Sequence, residues 1–307
     1  MPSPPAVSVC IITFNHEQFI RQAVESALAQ TTTFDYEIVV GDDASTDATS
    51  QILAELERAH APRLRVHRRP HNLGVGGNLA ATLLECRGKY IALLEGDDYW
   101  IDEQKLQLQH DLLETQREYA ICFHPVRAVR EGSAEAYRSP RGRIPRRTSL
   151  VDLIERGTYI PTASVMFRNR ADEGFPDWYS GLRIADLPLH VINARHGDIA
   201  LIDRVMAVYR LHPGGVFSMI ANADRVRAVV QMYSHINDYL DHRFDKTIRG
   251  IQSYWEAVER YNSGDSAGAR KLARIRFAAP PWNRQRWMAG MMAFAPPLVR
   301  MIRRVVG

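Results

Sequence analysis

Three carboxylates crowd into four residues at Glu95-Gly96-Asp97-Asp98, directly after the apolar run Tyr90-Ile91-Ala92-Leu93-Leu94. Carboxylates this close repel one another and do not all stay ionised without a cation. A divalent metal bridging to substrate phosphates is their natural partner. A solvated acidic turn ahead of a helix near Asp102 is the plainer alternative, and it would be the better one for an isolated Asp-Asp pair. A second cluster with the same placement tips the balance. The run Tyr36-Glu37-Ile38-Val39-Val40-Gly41 ends in Asp42-Asp43, with Ala44-Ser45-Thr46-Asp47 behind it. A third run, Val7 to Thr13, ends in Phe14-Asn15-His16-Glu17.

These runs read as buried strands, and each leads into a helical pattern. The helical patterns lie near Glu17–Ala29, Asp47–His60, Gly76–Cys86 and Asp102–Arg117, with a further strand at Leu64–His67. Such alternation predicts a mostly parallel sheet flanked by helices. Ligands of open α/β sheets sit outside the carboxyl ends of the strands, so the three polar strand ends should meet in one crevice. Ser45 or Thr46 would cap the second helix, with Asp47 favouring its positive end. Further apolar runs are Ala120–Val129, Ala163–Phe167 and Ile199–Tyr209. Between the first two, Arg130 to Arg147 reads as a mobile loop carrying Arg138, Arg141, Arg143, Arg146 and Arg147. It is either a solvated basic loop or a flap over an anionic substrate. Asp186-Leu187-Pro188-Leu189-His190 starts a helix, with Asp186 at the cap position and Pro188 in the first turn. Gly74-x-Gly76-Gly77 does not have the order of a dinucleotide fingerprint. From Asp224 onward the pattern is helical, with a helix pair over Tyr254–Arg276 broken at Gly264-Asp265.

The composition, 46% hydrophobic and 24% charged over 307 residues, is that of a globular chain with one large domain and an appendage, or two domains. Cys10, Cys86 and Cys122 form neither a zinc spacing nor a disulfide framework, and Cys10 and Cys122 lie in core-like runs. A reducing compartment fits. The start, Met1-Pro2-Ser3-Pro4-Pro5, has no signal-peptide character. No apolar stretch reaches the ~18 residues of a spanning helix. Net charge is +4, unevenly spread. From Arg270 to Gly307 there are nine basic residues and no acid; removing those nine from 39 leaves 30 against 35 acidic residues elsewhere. The tail therefore suits an anionic surface. Leu298, Met301, Ile302 and Val305 form an apolar stripe with Arg300, Arg303 and Arg304 mostly beside it, after Trp282, Trp287, Met291, Met292 and Phe294. That is the pattern of an interfacial helix pair on an anionic membrane. A tail packed on its own protein or on a partner subunit is the alternative. Nucleic acid is disfavoured, because no stacking platform accompanies the charge.

Taken in order, the motifs from Val7 to about Val216 resemble a family 2 glycosyltransferase of the GT-A fold. They are Thr13-Phe14-Asn15, Asp42-Asp43-x-Ser45-x-Asp47, Asn72-Leu73-Gly74 with Asn78, Gly88-Lys89-Tyr90 through Glu95-Gly96-Asp97-Asp98, and Val208-Tyr209-Arg210-x-His212-Pro213-Gly214-Gly215-Val216. The resemblance implies an α/β GT-A domain over 1–216, with a nucleotide-sugar half (1–100) and an acceptor half (101–216); the C-terminal region over 217–307, helical by its own pattern, lies outside it. It implies a UDP-, GDP- or dTDP-sugar donor, a Mg²⁺ or Mn²⁺ cofactor, and inversion at the anomeric carbon.

The same resemblance assigns roles. Thr13, Phe14, Asn15, Asp42, Asp43, Asn72, Asn78 and Asp97 would bind the nucleotide-sugar, Phe14 by stacking on the base and Asp43 by accepting from base or ribose. Asn72 and Asn78 could equally hold loop geometry. Asp97 and Asp98 would hold the metal, with Glu95 standing where the family's Asp-x-Asp motif has its first aspartate, and His212 near the metal or diphosphate. Asp186 falls where the family places its general base; a simple helix cap is the alternative role, and Asp177 the nearest competitor. The acceptor would be a glycan or a lipid-linked glycan in surface polysaccharide synthesis, and the location peripheral, on the cytoplasmic face of the inner membrane. A homo-oligomer is compatible with the sequence. Two other functions fit less well. A sugar nucleotidyltransferase would need a Gly-rich basic loop where Thr13-Phe14-Asn15-His16 stands. A non-catalytic sugar- or lipid-binding module would have no use for Asp97, Asp98 and Asp186.

Overall fold

The computed structural model describes residues 4–130, 133, 136–214, 222–281 and 284–294. The chain divides into two compact units, one of residues 1–150 and 158–213, the other of 151–157 and 214–307. The short segment 151–157, expected within the first domain, thus belongs with the C-terminal unit.

The first unit is built on two sheets. Strands β1 (Val7–Thr13), β2 (Tyr36–Asp42), β3 (Leu64–Arg68) and β4 (Tyr90–Glu95) alternate with helices α1 (Ile20–Leu28), α2 (Thr49–His60) and α3 (Gly74–Leu84). After β4 come β5 (Tyr99–Trp100), α4 (Lys105–Thr115), β6 (Tyr119–Phe123), β7 (Val126–Arg130), β8 (Ala136–Ser139) and β9 (Arg147–Thr148). Beyond α5 (Leu150–Arg156), the unit continues with β10 (Met166–Arg168), α6 (Asp186–Ala194), β11 (Asp198–Leu201) and β12 (Ala207–Leu211). The large sheet runs β3-β2-β1-β4-β10-β6-β11-β9, and the small one β5-β12-β7-β8. The first four strands of the large sheet are mutually parallel. Their sequences explain this: β1, β2 and β4 are buried almost throughout, as strands covered on both faces must be. Helix α1 buries Ile20, Ala23, Val24 and Ala27, a single i, i+3, i+4, i+7 stripe.

Strand order 3-2-1-4 places a topological switch point between β1 and β4. Register sets Ile12 beside Glu95, and Gly96 N–H donates to the Ile12 carbonyl. The loops after both strands therefore open into the same crevice.

Several expected elements divide. The apolar runs Ala120–Val129 and Ile199–Tyr209 each contribute two strands in two sheets. β6 pairs in parallel with β11 in the large sheet, and β7 pairs in parallel with β12 in the small one. Both runs change sheets together, at His124-Pro125 and at Asp203-Arg204; Ile202 N–H to the Phe123 carbonyl is the last rung. Pro125 supplies no donor to continue the ladder. The run Ala163–Phe167 is a 3₁₀ turn (Thr162–Ser164) followed by β10. The expected loop Arg130–Arg147 contains the edge strand β8 and the short β9. Neither Ser45 nor Thr46 caps α2, whose cap position is Ala48. Instead Ser45 receives Asn15 N–H, Thr46 N–H donates to the Asn15 side chain, and Asp47 accepts from Thr49 N–H.

The C-terminal unit is helical: α7 (Asn222–Tyr239), α8 (Asp245–Asn262), α9 (Ser266–Ala278) and α10 (Arg284–Phe294). The break at Gly264-Asp265 is where it was expected, with Asp265 accepting from Gly268 N–H to start α9. Met292 packs with Ala257, Ala273, Ala289 and Ala293, so it is not part of an exposed apolar face. Trp287 and Phe294 are each 64% exposed. Trp282, Gly215, Val216 and the Leu298–Val305 stripe with its arginines lie outside the described residues. Among those described, no helix is long and apolar enough to cross a membrane.

Candidate active site

The acidic tip lies at the seam between the sheets, since β4 ends at Glu95 and β5 begins at Tyr99. Strand β12, paired with β5, brings Tyr209, Arg210 and His212 alongside. Arg210 N–H donates to Asp98 Oδ1 at 2.9 Å, and its guanidinium donates to the Asp97 carbonyl and to Gln22. That guanidinium also lies over the Tyr99 and Phe19 rings, at 4.4 and 5.0 Å. Asp97 Oδ2 faces two imidazoles: His212 Nε2 at 3.0 Å and His16 Nε2 at 3.7 Å. His16 Nδ1 is 3.2 Å from Thr13 Oγ1. Gly96 is required here, because a Cβ would lie 2.6 Å from Thr13 Oγ1 and 2.9 Å from His16 Nδ1.

The three carboxyls of the tip are shifted in different directions. Burial opposes ionisation of Asp97, but the His212 hydrogen bond and the charge of His16 outweigh it, so Asp97 sits below the ordinary carboxylate range. Asp98 is pushed well up, first by burial and then by Asp97 and Glu95. Its Oδ2 is buried and has no hydrogen-bond partner among the described residues. Glu95 shares a hydrogen bond with Thr162 and is raised to about 8 by burial, Asp97 and Asp186. The expected mutual repulsion thus takes the form of a division, with Asp97 pushed down and Asp98 and Glu95 pushed up.

Among the described residues no three His, Cys, Asp or Glu side chains form a closed metal cage. Mg²⁺ and related cations are held in many enzymes by one or two carboxylates plus substrate phosphates, not by an all-protein cage. Ionised Asp97, the orphaned Asp98 oxygen and the adjacent His212 fit that mode. A cation would also reverse the electrostatics that now protonate Glu95.

Asp186 is the first residue of α6, not its cap; the cap position is Ala185, and no side chain caps the helix. It is brought near the tip by the segment Tyr179–Leu182, which lies across α3. Gly76 N–H donates to the Leu182 carbonyl, and a Cβ on Gly76 would stand 2.5 Å from the Tyr179 carbonyl oxygen. Tyr179 then donates its hydroxyl to the Ala185 carbonyl. Burial raises the Asp186 carboxyl above its ordinary range. Asp177 is exposed and has no such setting.

Phe14 is 40% exposed beside the crevice, so it is not a core residue. Asn15 adopts φ 54°, a left-handed conformation that asparagine tolerates. The remaining expected donor residues shape loops. Asp42 accepts from Ser45 N–H and from Ser50. Asp43 accepts from Leu73 and Gly74 N–H at 2.7 and 3.0 Å, tying the loop after β2 to the start of α3. Burial raises its carboxyl above the ordinary value, with those N–H groups opposing. Asn72 donates to the Asp43 carbonyl, and buried Asn78 donates to the Gly41 carbonyl. Both asparagines therefore hold loop geometry. Sequence reasoning assigned no role to His16, Arg210, Thr162 or Gly76. His16 had a usable signal, as a polar residue just past a buried strand. Thr162 and Gly76 had none, because their partners are distant in sequence.

This arrangement, a nucleotide-type switch point lined with carboxylates and joined to a second small sheet, defines a GT-A domain. The chain belongs to glycosyl transferase family 2, whose pattern matches residues 8–175. It is 38% identical over 214 residues to an uncharacterized Mycobacterium tuberculosis protein, Rv1520; the match covers 69% of this chain and 60% of that protein. Among solved structures it resembles Staphylococcus aureus TarS 1–349 in complex with UDP-GlcNAc, with TM-score 0.61 and 20% identity over 89% of this chain and 81% of that one. It also resembles the Pyrobaculum calidifontis mannosyltransferase PcManGT in complex with GDP-Man and Mn²⁺, with TM-score 0.55 and 15% identity over 97% and 84% of the two chains. At these identities the two structures speak to the fold.

Proposed function

We propose that this protein is an inverting, metal-assisted glycosyltransferase that moves a sugar from a nucleoside diphosphate donor to an acceptor hydroxyl. The observation that carries the reading is the division of carboxyls at one crevice. Asp97 is held ionised between two imidazoles, while Asp186 is held basic by burial. Environments that push such groups apart mark distinct chemical roles. The nucleotide-sugars in the TarS and PcManGT complexes support the donor class.

In this reading the base stacks on exposed Phe14. The ends of β1, β2 and β4 receive the ribose and diphosphate. Asp97 and His212, with Asp98 and Glu95 behind them, would hold Mg²⁺ or Mn²⁺. Such a cation neutralises the charge that develops on the leaving diphosphate. Asp186 accepts the proton of the acceptor hydroxyl as that oxygen attacks the anomeric carbon. The carbon–oxygen bond to the donor phosphate breaks, and its electron pair leaves with the nucleoside diphosphate. One displacement from one face gives inversion. The acid-free basic tail with exposed Trp287 and Phe294 supports a location on the cytoplasmic face of an anionic membrane, where the enzyme would act on a lipid-linked or surface glycan.

A screen of UDP-, GDP- and dTDP-sugars for Mn²⁺- or Mg²⁺-dependent rises in melting temperature tests the donor and the metal together. The expected result is one nucleotide class that stabilises only with metal. Stabilisation that persists in excess EDTA, or in Asp97→Asn, overturns the metal assignment. Retention of anomeric configuration by NMR overturns the single displacement.

A further inference from the structure

We propose that Arg141, held in place by Tyr137, reads an anionic group on the acceptor, so that the acceptor is an acidic or phosphate-bearing glycan. This rests on the transferase reading above and adds the acceptor's chemical class. Tyr209 of β12 pairs with Ala128 of β7, and Ala128 pairs with Tyr137 of β8. Residues paired directly across a sheet project from the same face. Tyr209 and Tyr137 therefore share one face of the small sheet, with Tyr209 on the strand nearer the acidic tip. The electrostatics agree: the Tyr209 phenol feels Glu95, Asp98 and Asp97 as well as Tyr137. Strand order in the small sheet runs outward from β5, beside the acidic tip, through Tyr209 on β12 to Tyr137 on the edge strand β8.

The Arg141 guanidinium lies at that edge, 4.2 Å from the centre of the Tyr137 ring. Stacking occupies a face of the guanidinium and leaves its N–H donors free at the edge, in the fork that matches a carboxylate or a phosphate. Arg138 and Arg147, by contrast, are used by Asp203 and Asp198. Arg141 has no ion-pair partner among the described residues. The segment 127–147 carries seven arginines against two glutamates. A neutral acceptor gains little from such a rim. An anionic acceptor would be repelled by the acidic tip, and a fixed cation beyond Tyr209 offsets that repulsion where the acceptor enters.

The carboxylate of a uronic acid and a sugar phosphate share the required chemistry, and the test separates them. Binding of p-nitrophenyl β-glucuronide, of the 6-phosphate of p-nitrophenyl β-glucoside, and of the neutral glucoside is measured by saturation-transfer NMR on the full chain. The nucleoside diphosphate chosen by the donor screen is present throughout, or UDP where the screen chooses none. At least one anionic glycoside should bind about tenfold more tightly than the neutral one, and the tighter of the two identifies the anion. Arg141→Gln should erase the preference, Tyr137→Leu should reduce it, and the donor-induced rise in melting temperature reports that both variants fold. Equal binding of all three glycosides, binding of none, or a preference that survives Arg141→Gln overturns the proposal. A preference that depends on Arg141 without any donor-induced stabilisation would leave this subsite standing and sink the transferase reading instead.

Discussion

At the scale of single residues, the site works by giving chemically similar carboxyls different surroundings. Asp97 is ionised because two imidazoles face it, and Asp186 is basic because it is buried. Asp186→Asn should lower kcat by at least ~10², the usual scale for a general base, while donor affinity changes little. Steady-state kinetics with donor titration measures this, and a variant whose only defect is donor binding would contradict the assignment. Asp97→Asn should abolish transfer, with Glu95→Gln milder, since Glu95 stands behind Asp97 and His212 at the proposed metal position. Buried Lys105 gives a separate test of electrostatics away from the chemistry. It lies 4.1 Å over the Trp100 ring, donates to Gln109, and is pushed down to about 7 by burial. Between about pH 7 and its ordinary value of 10.5, the unfolded chain binds a proton there that the native chain lacks. Stability should therefore rise with pH across that window, by at most about 1.4 kcal/mol per pH unit. Lys105→Met should flatten the slope and raise the urea midpoint at pH 7; an unchanged slope would show that the lysine is solvated.

At the scale of elements, the proposed general base, Asp186, depends on a close approach between α3 and the segment before α6. Gly76→Ala would put a methyl 2.5 Å from a backbone carbonyl that cannot swing away. The Tyr179–Leu182 segment must shift, and Ala185-Asp186 with it. The expected cost is about 1–3 kcal/mol in stability, as for overpacking elsewhere. The expected functional signature is a fall in kcat with donor-induced stabilisation retained, because the ends of β1, β2 and β4 are untouched. Loss of donor binding with normal kcat on saturated enzyme would show that Gly76 serves the donor loop instead.

At the scale of the whole molecule, the chain joins a GT-A unit to a basic helical one. Phe277 meets Phe294, and Gly290 lies against Phe277, so α10 has one face packed on α9. Truncation would uncover that face, and point changes are the cleaner test. Trp287→Ser combined with Arg270, Lys271 and Arg274→Gln should weaken co-sedimentation with anionic vesicles while leaving the fold intact by circular dichroism. Each basic residue near an anionic surface contributes roughly 1 kcal/mol, screened by salt, and the apolar side chains add a part that salt does not remove. Binding should thus weaken with salt without vanishing. Unchanged sedimentation of the variant would assign the tail to packing or to a partner subunit.

What the sequence determined was local. Buried β-branched runs that end in aspartates specify parallel strands with polar tips, so β1, β2 and β4 and the crevice at their ends were legible, as were the tip carboxylates. Tertiary structure decided which of those polar groups face the crevice and which hold loops. Asp42, Asp43, Asn72 and Asn78 are ligand residues by type and spacing, and only the fold shows that their hydrogen bonds also close backbone turns. Burial and partners set that division, and partners arrive from distant strands and helices. The same holds for the two apolar runs that became four strands. Hydrophobicity marks a segment as buried but does not say in which sheet, and only the parallel pairing of β6 with β11 and of β7 with β12 settled it. The charge states of Asp97, Asp98 and Glu95 were decided last of all. Identical groups a few residues apart diverge only once His16 and His212 are folded against one of them.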